Sequence, residues 1–388
     1  MKSITNIIIY SAAVVALVAC AQQVDKTAVE GYVTHSTYSV PGRFNSENIT
    51  SSQNYEDFEF LYLMAMPKWE VEDFDLSQEE INRKCVEDFD YLTDNRKGMS
   101  QVPELIENIH KTECKILCSF PGQEYDVIAA DEQRRVKFAR MMAALVEKFN
   151  YDGIELDWEG TITESLHLAF MSDIREALDA LGSSKYLYLT TALNSSHSYS
   201  QDMAEELSAV VDWINIMTYD MGGGFWTKQS VSYNTPLDSM EEIIEGRWSV
   251  FAPEKLCIGL ANYGYGYNDI EPGAQLPEGF DLEQNYFTVQ YFEVASFLAD
   301  GWVEQWDEVA RSSYFFSPDG SDFFSMDTPR AIDHKLDWVY ERGYRGVFWW
   351  EYHMDIDPET KDELKATHLL IDEATKNIKE YNSKLNKL

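Results

Sequence analysis

The sequence predicts an α/β chain folded as a (β/α)8 TIM barrel with a small α+β insertion before the last strand. Three observations carry that expectation. Eight short apolar runs alternate with longer segments of helical period, the runs are apolar nearly throughout, and one of them interleaves acids with large apolar residues between two glycines. Near-continuous apolar strands suit a sheet covered on both faces, and strand–helix alternation makes that sheet parallel. A count of eight fits a closed barrel. A doubly wound open sheet is the alternative, weakened because no GxGxxG follows a strand.

In chain order the expected strands are 29–33, 58–66, 115–120, 151–158, 186–193, 210–219, 255–262 and 344–351. Between them, 131–149 and 164–181 are amphipathic. In the first, Val136, Met141, Leu145 and Phe149 repeat at helical spacing with charges elsewhere. Residues 202–210 form a further helix opening on an acid. The longest gap, about 266–336, is aromatic-rich and carries PDG turn chemistry, so it reads as the insertion. The segment 358–381 supplies a closing helix.

The N-terminus reads as a targeting segment, 1–19, and is set apart from the fold. One Lys precedes a short apolar run that is too short for a comfortable membrane span. The run ends in Leu17-Val18-Ala19-Cys20, which resembles the bacterial lipobox, where cleavage precedes a Cys that becomes lipidated. Residues 20–27 are then a tether and 28–388 the barrel domain. The implied location is the bacterial cell envelope, periplasm or surface, with the membrane touched only through the lipid at Cys20. A plain secretory signal with an incidental Cys20 is the alternative.

Composition narrows the function. With 45% hydrophobic residues and 23 Tyr, 20 Phe and 10 Trp, the chain has a large core to build. Acids outnumber bases 67 to 31, a net charge of −36, which repels phosphate backbones and anionic lipid and makes nucleic acid an unfavourable partner. A neutral sugar is indifferent to such a surface. Cys118 and Cys257 lie in apolar runs and read as buried thiols; a disulfide among Cys85, Cys114, Cys118 and Cys257 stays open. Neither HExxH nor paired CxxC spacing occurs, so no metal is expected, and no cofactor. The chain is read as a monomer.

The acidic stretch is YDGIELDWEG, Tyr151 to Gly160. Successive side chains on a strand point to opposite faces, so Ile154, Leu156 and Trp158 pack on helices while Glu155, Asp157 and Glu159 point into the barrel, neighbours ~6.5–7 Å apart. Three carboxylates there cannot all ionise cheaply; desolvation and like-charge repulsion raise at least one pKa. Active sites of such barrels lie at the C-terminal strand ends, which places Glu159 at the mouth, Asp157 one pleat deeper and Glu155 deeper still.

DGIELDWE resembles the glycoside hydrolase family 18 signature DGxDxDxE on the fourth strand of a (β/α)8 barrel. MTYD (217–220) matches the sixth-strand motif, KLCIGLANYG (255–264) is similar to the seventh strand with its Tyr-Gly, RGVFWWE (345–351) to the last, CSFPG (118–122) to the third and GYV (31–33) to the first. The resemblance spans roughly 28–380. It implies a retaining, substrate-assisted glycosidase in which the sugar's 2-acetamido oxygen attacks the anomeric carbon. Glu159 is then the proton donor, Asp157 the group that orients the acetamide, and Glu155 the inner acid that shares a proton or hydrogen bond with Asp157. Tyr219 donates to the acetamide oxygen. Met217, Asp220, Trp350, Tyr32 and Tyr263 contact the sugar, Trp350 as a flat stacking floor. The implied partner is an N-acetylglucosamine-containing oligosaccharide.

Departures from the family pattern are Glu155 for Asp, Pro121 for Gly, Met64 for Phe, and Tyr265 where many chitinases have Arg. The resemblance supports cleavage of chitin oligosaccharides. An endo-β-N-acetylglucosaminidase acting on N-glycan chitobiose cores is a second reading, and a non-catalytic surface glycan-binding lipoprotein a third. Retention of Glu159 disfavours the last.

Overall fold

In the computed structural model, residues 27–33, 55–64, 69–95, 102–222, 231–276, 278–281, 284–357 and 367–385 are described. Cys20 and the targeting segment lie outside them. Thirteen strands are present among the described residues: β1 (Ala28–Val33), β2 (Phe60–Leu63), β3 (Lys115–Gly122), β4 (Gly153–Trp158), β5 (Tyr188–Asn194), β6 (Trp213–Met217), β7 (Leu256–Ala261), β8 (Tyr263–Tyr267), β9 (Tyr286–Gln290), β10 (Val303–Asp307), β11 (Ser312–Phe316), β12 (Phe323–Met326) and β13 (Gly346–Trp350). The eight expected strands are β1–β7 and β13, and they close into a parallel barrel in the order β1-β13-β7-β6-β5-β4-β3-β2. The doubly wound alternative is excluded by that closure.

Helices cover the barrel. Glu132–Phe149 is started by Asp131, whose side chain accepts from the backbone N–H groups of Gln133 and Arg134, and ended by Asn150 in the left-handed conformation. Its apolar face joins Phe138, Met142 and Leu145 to Phe170 and Ile174 of helix Glu164–Ala180 and to the outward residues Ile154, Leu156 and Trp158 of β4. The alternation expected for β4 therefore holds. Gly153 is required at its start because a Cβ there would lie 2.1 Å from the Tyr188 carbonyl oxygen.

The insertion is a five-stranded antiparallel sheet of order β10-β11-β12-β8-β9 that carries the short α-helix Val294–Ala299. It runs from Tyr263 to Met326 rather than over about 266–336, because the helix Pro329–Arg342 packs Ile332, Leu336 and Val339 into the barrel's own core. The tail forms the helix Ile371–Leu385, whose first turn is held by the buried carboxylate of Asp355, accepting from the Leu370 and Ile371 N–H groups. Cys85, Cys114, Cys118 and Cys257 are all buried, and none is in a disulfide among the described residues.

The N-terminal end of the barrel is closed by polar pairs inside an aromatic plug. Glu30 accepts from Tyr62, from Trp213 Nε1 at 3.1 Å and from Arg345 Nε at 3.1 Å, and the Arg345 guanidinium lies 3.8 Å over the Trp213 ring. Asp152, just before β4, accepts from the Ile116 N–H and Lys185 and contacts His110 Nε2 at 2.9 Å. Although burial alone would raise it, these partners hold the Asp152 carboxyl below the usual carboxylate range.

Candidate active site

At the opposite, C-terminal end lies a cleft of about 320 Å³ lined by Tyr32, Asp157, Glu159, Met217, Tyr219, Asp220, Tyr263 and Trp350. These are eight of the nine site residues that the sequence put forward in the barrel; the ninth, Glu155, lies beneath them. The β3–β4–β5 register explains the layering. Glu155 stands level with Ser119 and Thr190, and Asp157 one pleat higher, level with Pro121 and Ala192.

Glu155 is fully buried and is held by neutral donors from neighbouring strands. Ser119 Oγ donates to Oε1 at 2.9 Å, and Asn215 Nδ2 donates to Oε2 at 2.8 Å, with Thr190 Oγ1 at 3.5 Å from the same oxygen. Asn215 on β6 stands level with Ala192, hence with Asp157, so the Glu155 carboxyl reaches up one layer to meet it. The extra methylene relative to Asp is used for that reach. Burial pushes the Glu155 carboxyl up to about 8, against hydrogen bonds from Tyr32, Ser119 and Asn215 that favour the ionised form.

Asp157 is buried in the cleft wall, and its Oδ1 has no hydrogen-bond partner among the described residues. Desolvation, then the charges of Glu159 and Glu155, raise its carboxyl well above the usual range. Glu155 thus acts on Asp157 through charge. A buried acceptor without a donor is costly, and on a residue that lines a cleft it marks a place where a ligand's donor would be favourable. Glu159 is exposed at the rim, its backbone N–H bonded to the Gly122 carbonyl at 3.1 Å.

Tyr219 is buried beside these acids, edge-on to Tyr263 and Phe348. Burial and the charges of Asp157 and Asp220 raise its hydroxyl, which stays a proton donor across the working pH range. Trp350 closes the floor, 5.5 Å from the Tyr32 ring. Asp220 sits at the end of β6 with φ of 58°, and its Oδ1 accepts from both Tyr263 (2.7 Å) and Tyr265 (2.6 Å) hydroxyls. Burial raises its carboxyl and these two donors oppose the rise.

The cleft also contains Tyr286, Thr288, Gln290 and Met354, which sequence reasoning did not single out. The first three occupy alternate positions of β9, one face of an edge strand of the insertion. The alternation in YFTVQ was the available signal, but nothing local says that this face meets the barrel mouth.

The family described as "Glycosyl hydrolases family 18" matches residues 26–355. Among curated relatives, Chitinase A1 of Niallia circulans is 27% identical over 63% of this chain and 40% of its own length. The Endochitinase of Manduca sexta is 23% identical over 60% of this chain and 48% of its own. The chain thus spans about half the length of such relatives. Among solved structures, the immunomodulatory active chitinase from Trichuris suis aligns with a TM-score of 0.68 at 21% identity, covering 91% of this chain and 100% of that one. The family 18 chitinase from Cycas revoluta in complex with (GlcNAc)3 aligns with a TM-score of 0.68 at 18% identity, covering 90% and 99%. At such identities the structures speak to the fold.

The raised Glu155 carboxyl has a consequence for stability. The unfolded chain releases this proton near the ordinary carboxylate pKa and the folded chain only near 8. Between those limits the native state binds more protons, so its stability falls as pH rises from about 4.5 to 8 and levels off above. Urea unfolding midpoints should show this decline in the parent and a flatter profile in Glu155→Gln; parallel profiles would contradict it.

Proposed function

The chain belongs to glycosyl hydrolases family 18, and on that premise we propose that it hydrolyses the β-1,4 linkage next to an N-acetylglucosamine residue, with retention and with the sugar's own acetamide as nucleophile. The observation that carries the reading is Asp157, whose buried Oδ1 has no partner among the described residues, in the wall of a cleft that Glu159 and Tyr219 also line. An acetamide N–H supplies the donor that Asp157 lacks, and its carbonyl oxygen takes the Tyr219 proton as a hydrogen bond.

In the first step Glu159 gives its proton to the glycosidic oxygen, the C1–O bond breaks towards the leaving sugar, and the acetamide oxygen bonds to C1. The resulting oxazolinium is cationic. Asp157, destabilised as an anion by burial, gains most from that cation as the charge develops, which is differential stabilisation of the transition state. In the second step water attacks C1, the ring opens to regenerate the acetamide, and Glu159 takes the proton back. Trp350 supplies the apolar face under the pyranose. Chitin oligosaccharides are the proposed substrate class; products from chitotetraose and from an N-glycan, identified by mass, separate it from the N-glycan alternative.

We also propose that the chain is a lipoprotein of a bacterial envelope, on the lipobox pattern ending at Cys20. Mass spectrometry of the mature N-terminus should find a lipid-modified Cys20, and a mature peptide beginning upstream of it refutes the assignment.

Removal of the acid separates catalysis from binding. Glu159→Gln should lower kcat on chitotetraose by at least the ~10²–10⁴-fold typical of a general acid, with oligosaccharide affinity retained. Unchanged turnover in that variant contradicts the proposed function.

A further inference from the structure

Asn234 lies outside the cleft, fully buried behind Asp220. Its amide uses both ends. Oδ1 accepts from the Asp220 backbone N–H at 2.7 Å, and Nδ2 donates to the Tyr263 carbonyl at 3.0 Å. Its own backbone N–H donates to Ser325 Oγ on β12 at 3.0 Å, and its carbonyl accepts from the Met221 N–H at 3.1 Å. One side chain therefore joins the tip of barrel strand β6 to β8, the first strand of the insertion.

That joint closes a ring of contacts. Asn234 holds the Tyr263 backbone, the Tyr263 hydroxyl holds the Asp220 carboxylate, and the Asp220 N–H returns to Asn234. Asp220 has a left-handed backbone, which a non-glycine residue keeps when its surroundings over-determine it. The carboxylate it presents is then aimed by a group that does not line the cleft.

We propose that Asn234 is a positioning residue: by bonding the Asp220 N–H on the barrel and the Tyr263 carbonyl on the insertion at once, it sets the Asp220 carboxylate, with its two tyrosine donors, on the cleft wall. The inference rests on the proposed glycosidase reading for its kinetic consequences. Glu159, Asp157 and Tyr219 are untouched by Asn234, so its loss weakens substrate binding and leaves the chemical step.

The test compares Asn234→Ala and Asn234→Asp with the parent on chitotetraose, with binding measured by calorimetry in a Glu159→Gln background. Asn234→Ala should raise KM and Kd about tenfold, as expected for losing a hydrogen bond or two, with kcat nearly unchanged. Combined with Asp220→Ala it should add little to that variant's own defect, because both act through one carboxylate. Asn234→Asp keeps the acceptor for Asp220 but donates to Tyr263 only when protonated. Its KM, relative to the parent at each pH, should therefore approach the parent's as pH falls through the carboxylate range. Unchanged KM in both variants, a fall in kcat at constant KM, or fully multiplicative defects with Asp220→Ala overturns the inference.

A crystal structure of Asn234→Ala, or of Asn234→Asp at neutral pH should the first not fold, decides independently of substrate. Asp220 leaving the left-handed region and losing the tyrosine hydroxyls supports the proposal; an unmoved Asp220 overturns it. If the parent turns over no chitotetraose, the functional reading fails and this structural comparison alone judges Asn234.

Discussion

The structure depends on keeping two carboxyl groups, Glu155 and Asp157, inside a barrel without giving either a cation. Neutral donors do the holding: Ser119 on β3, Asn215 on β6 and Thr190 on β5 converge on Glu155, while Asp157 keeps an oxygen with no partner among the described residues. A cation beside either acid would oppose the desolvation penalty and favour the ionised form. The barrel's other end realises that alternative at Asp152, which pairs with Lys185 and accepts further hydrogen bonds. Glu30 meets Arg345 there, yet burial still raises its carboxyl. Along one short segment the environment thus lowers one acid, Asp152, and raises two others. Environments that push the pKa values of titratable groups apart are how a protein assigns different roles to the same functional group.

The insertion is part of the same arrangement. It enters directly after β7, and its first strand delivers two tyrosine hydroxyls to one oxygen of Asp220. The second of these, Tyr265, stands where the family pattern often has Arg. Here the contact to Asp220 is a neutral donor, in keeping with the way Glu155 is held. The edge strand β9 then adds Tyr286, Thr288 and Gln290 to the wall. The same joint reaches the floor of the cleft. Asn262, between β7 and β8, clasps the Glu351 backbone next to Trp350 through its N–H at 2.8 Å and carbonyl at 2.6 Å, and it also bonds Asp355, which caps the last helix.

Legibility in the sequence followed the range of the physics involved. Strands buried on both faces declare themselves locally, so all eight barrel strands were readable from apolar runs, and the period of two fixed which face of β4 carried the acids. The MTYD and RGVFWWE stretches were readable as resemblances because short segments carry their patterns, and Met217, Tyr219, Asp220 and Trp350 line the cleft. The partners of Glu155 were not, since Ser119, Thr190 and Asn215 meet it only once strand register and closure are set. The reason for a Glu at 155 became visible only with the reach to Asn215. The insertion's limits were not legible, because no strand signal separates the helix Pro329–Arg342 from the segment before it and only packing assigns that helix to the barrel.

The central claim is that a sugar acetamide, oriented by Asp157, is the nucleophile. Stereochemistry tests it most directly, because that route passes through two displacements at one carbon. Proton NMR of chitotetraose hydrolysis, recorded before mutarotation, should show the β-anomer of the newly formed reducing end accumulating first. Initial accumulation of the α-anomer would mean direct attack by water, and would contradict the account.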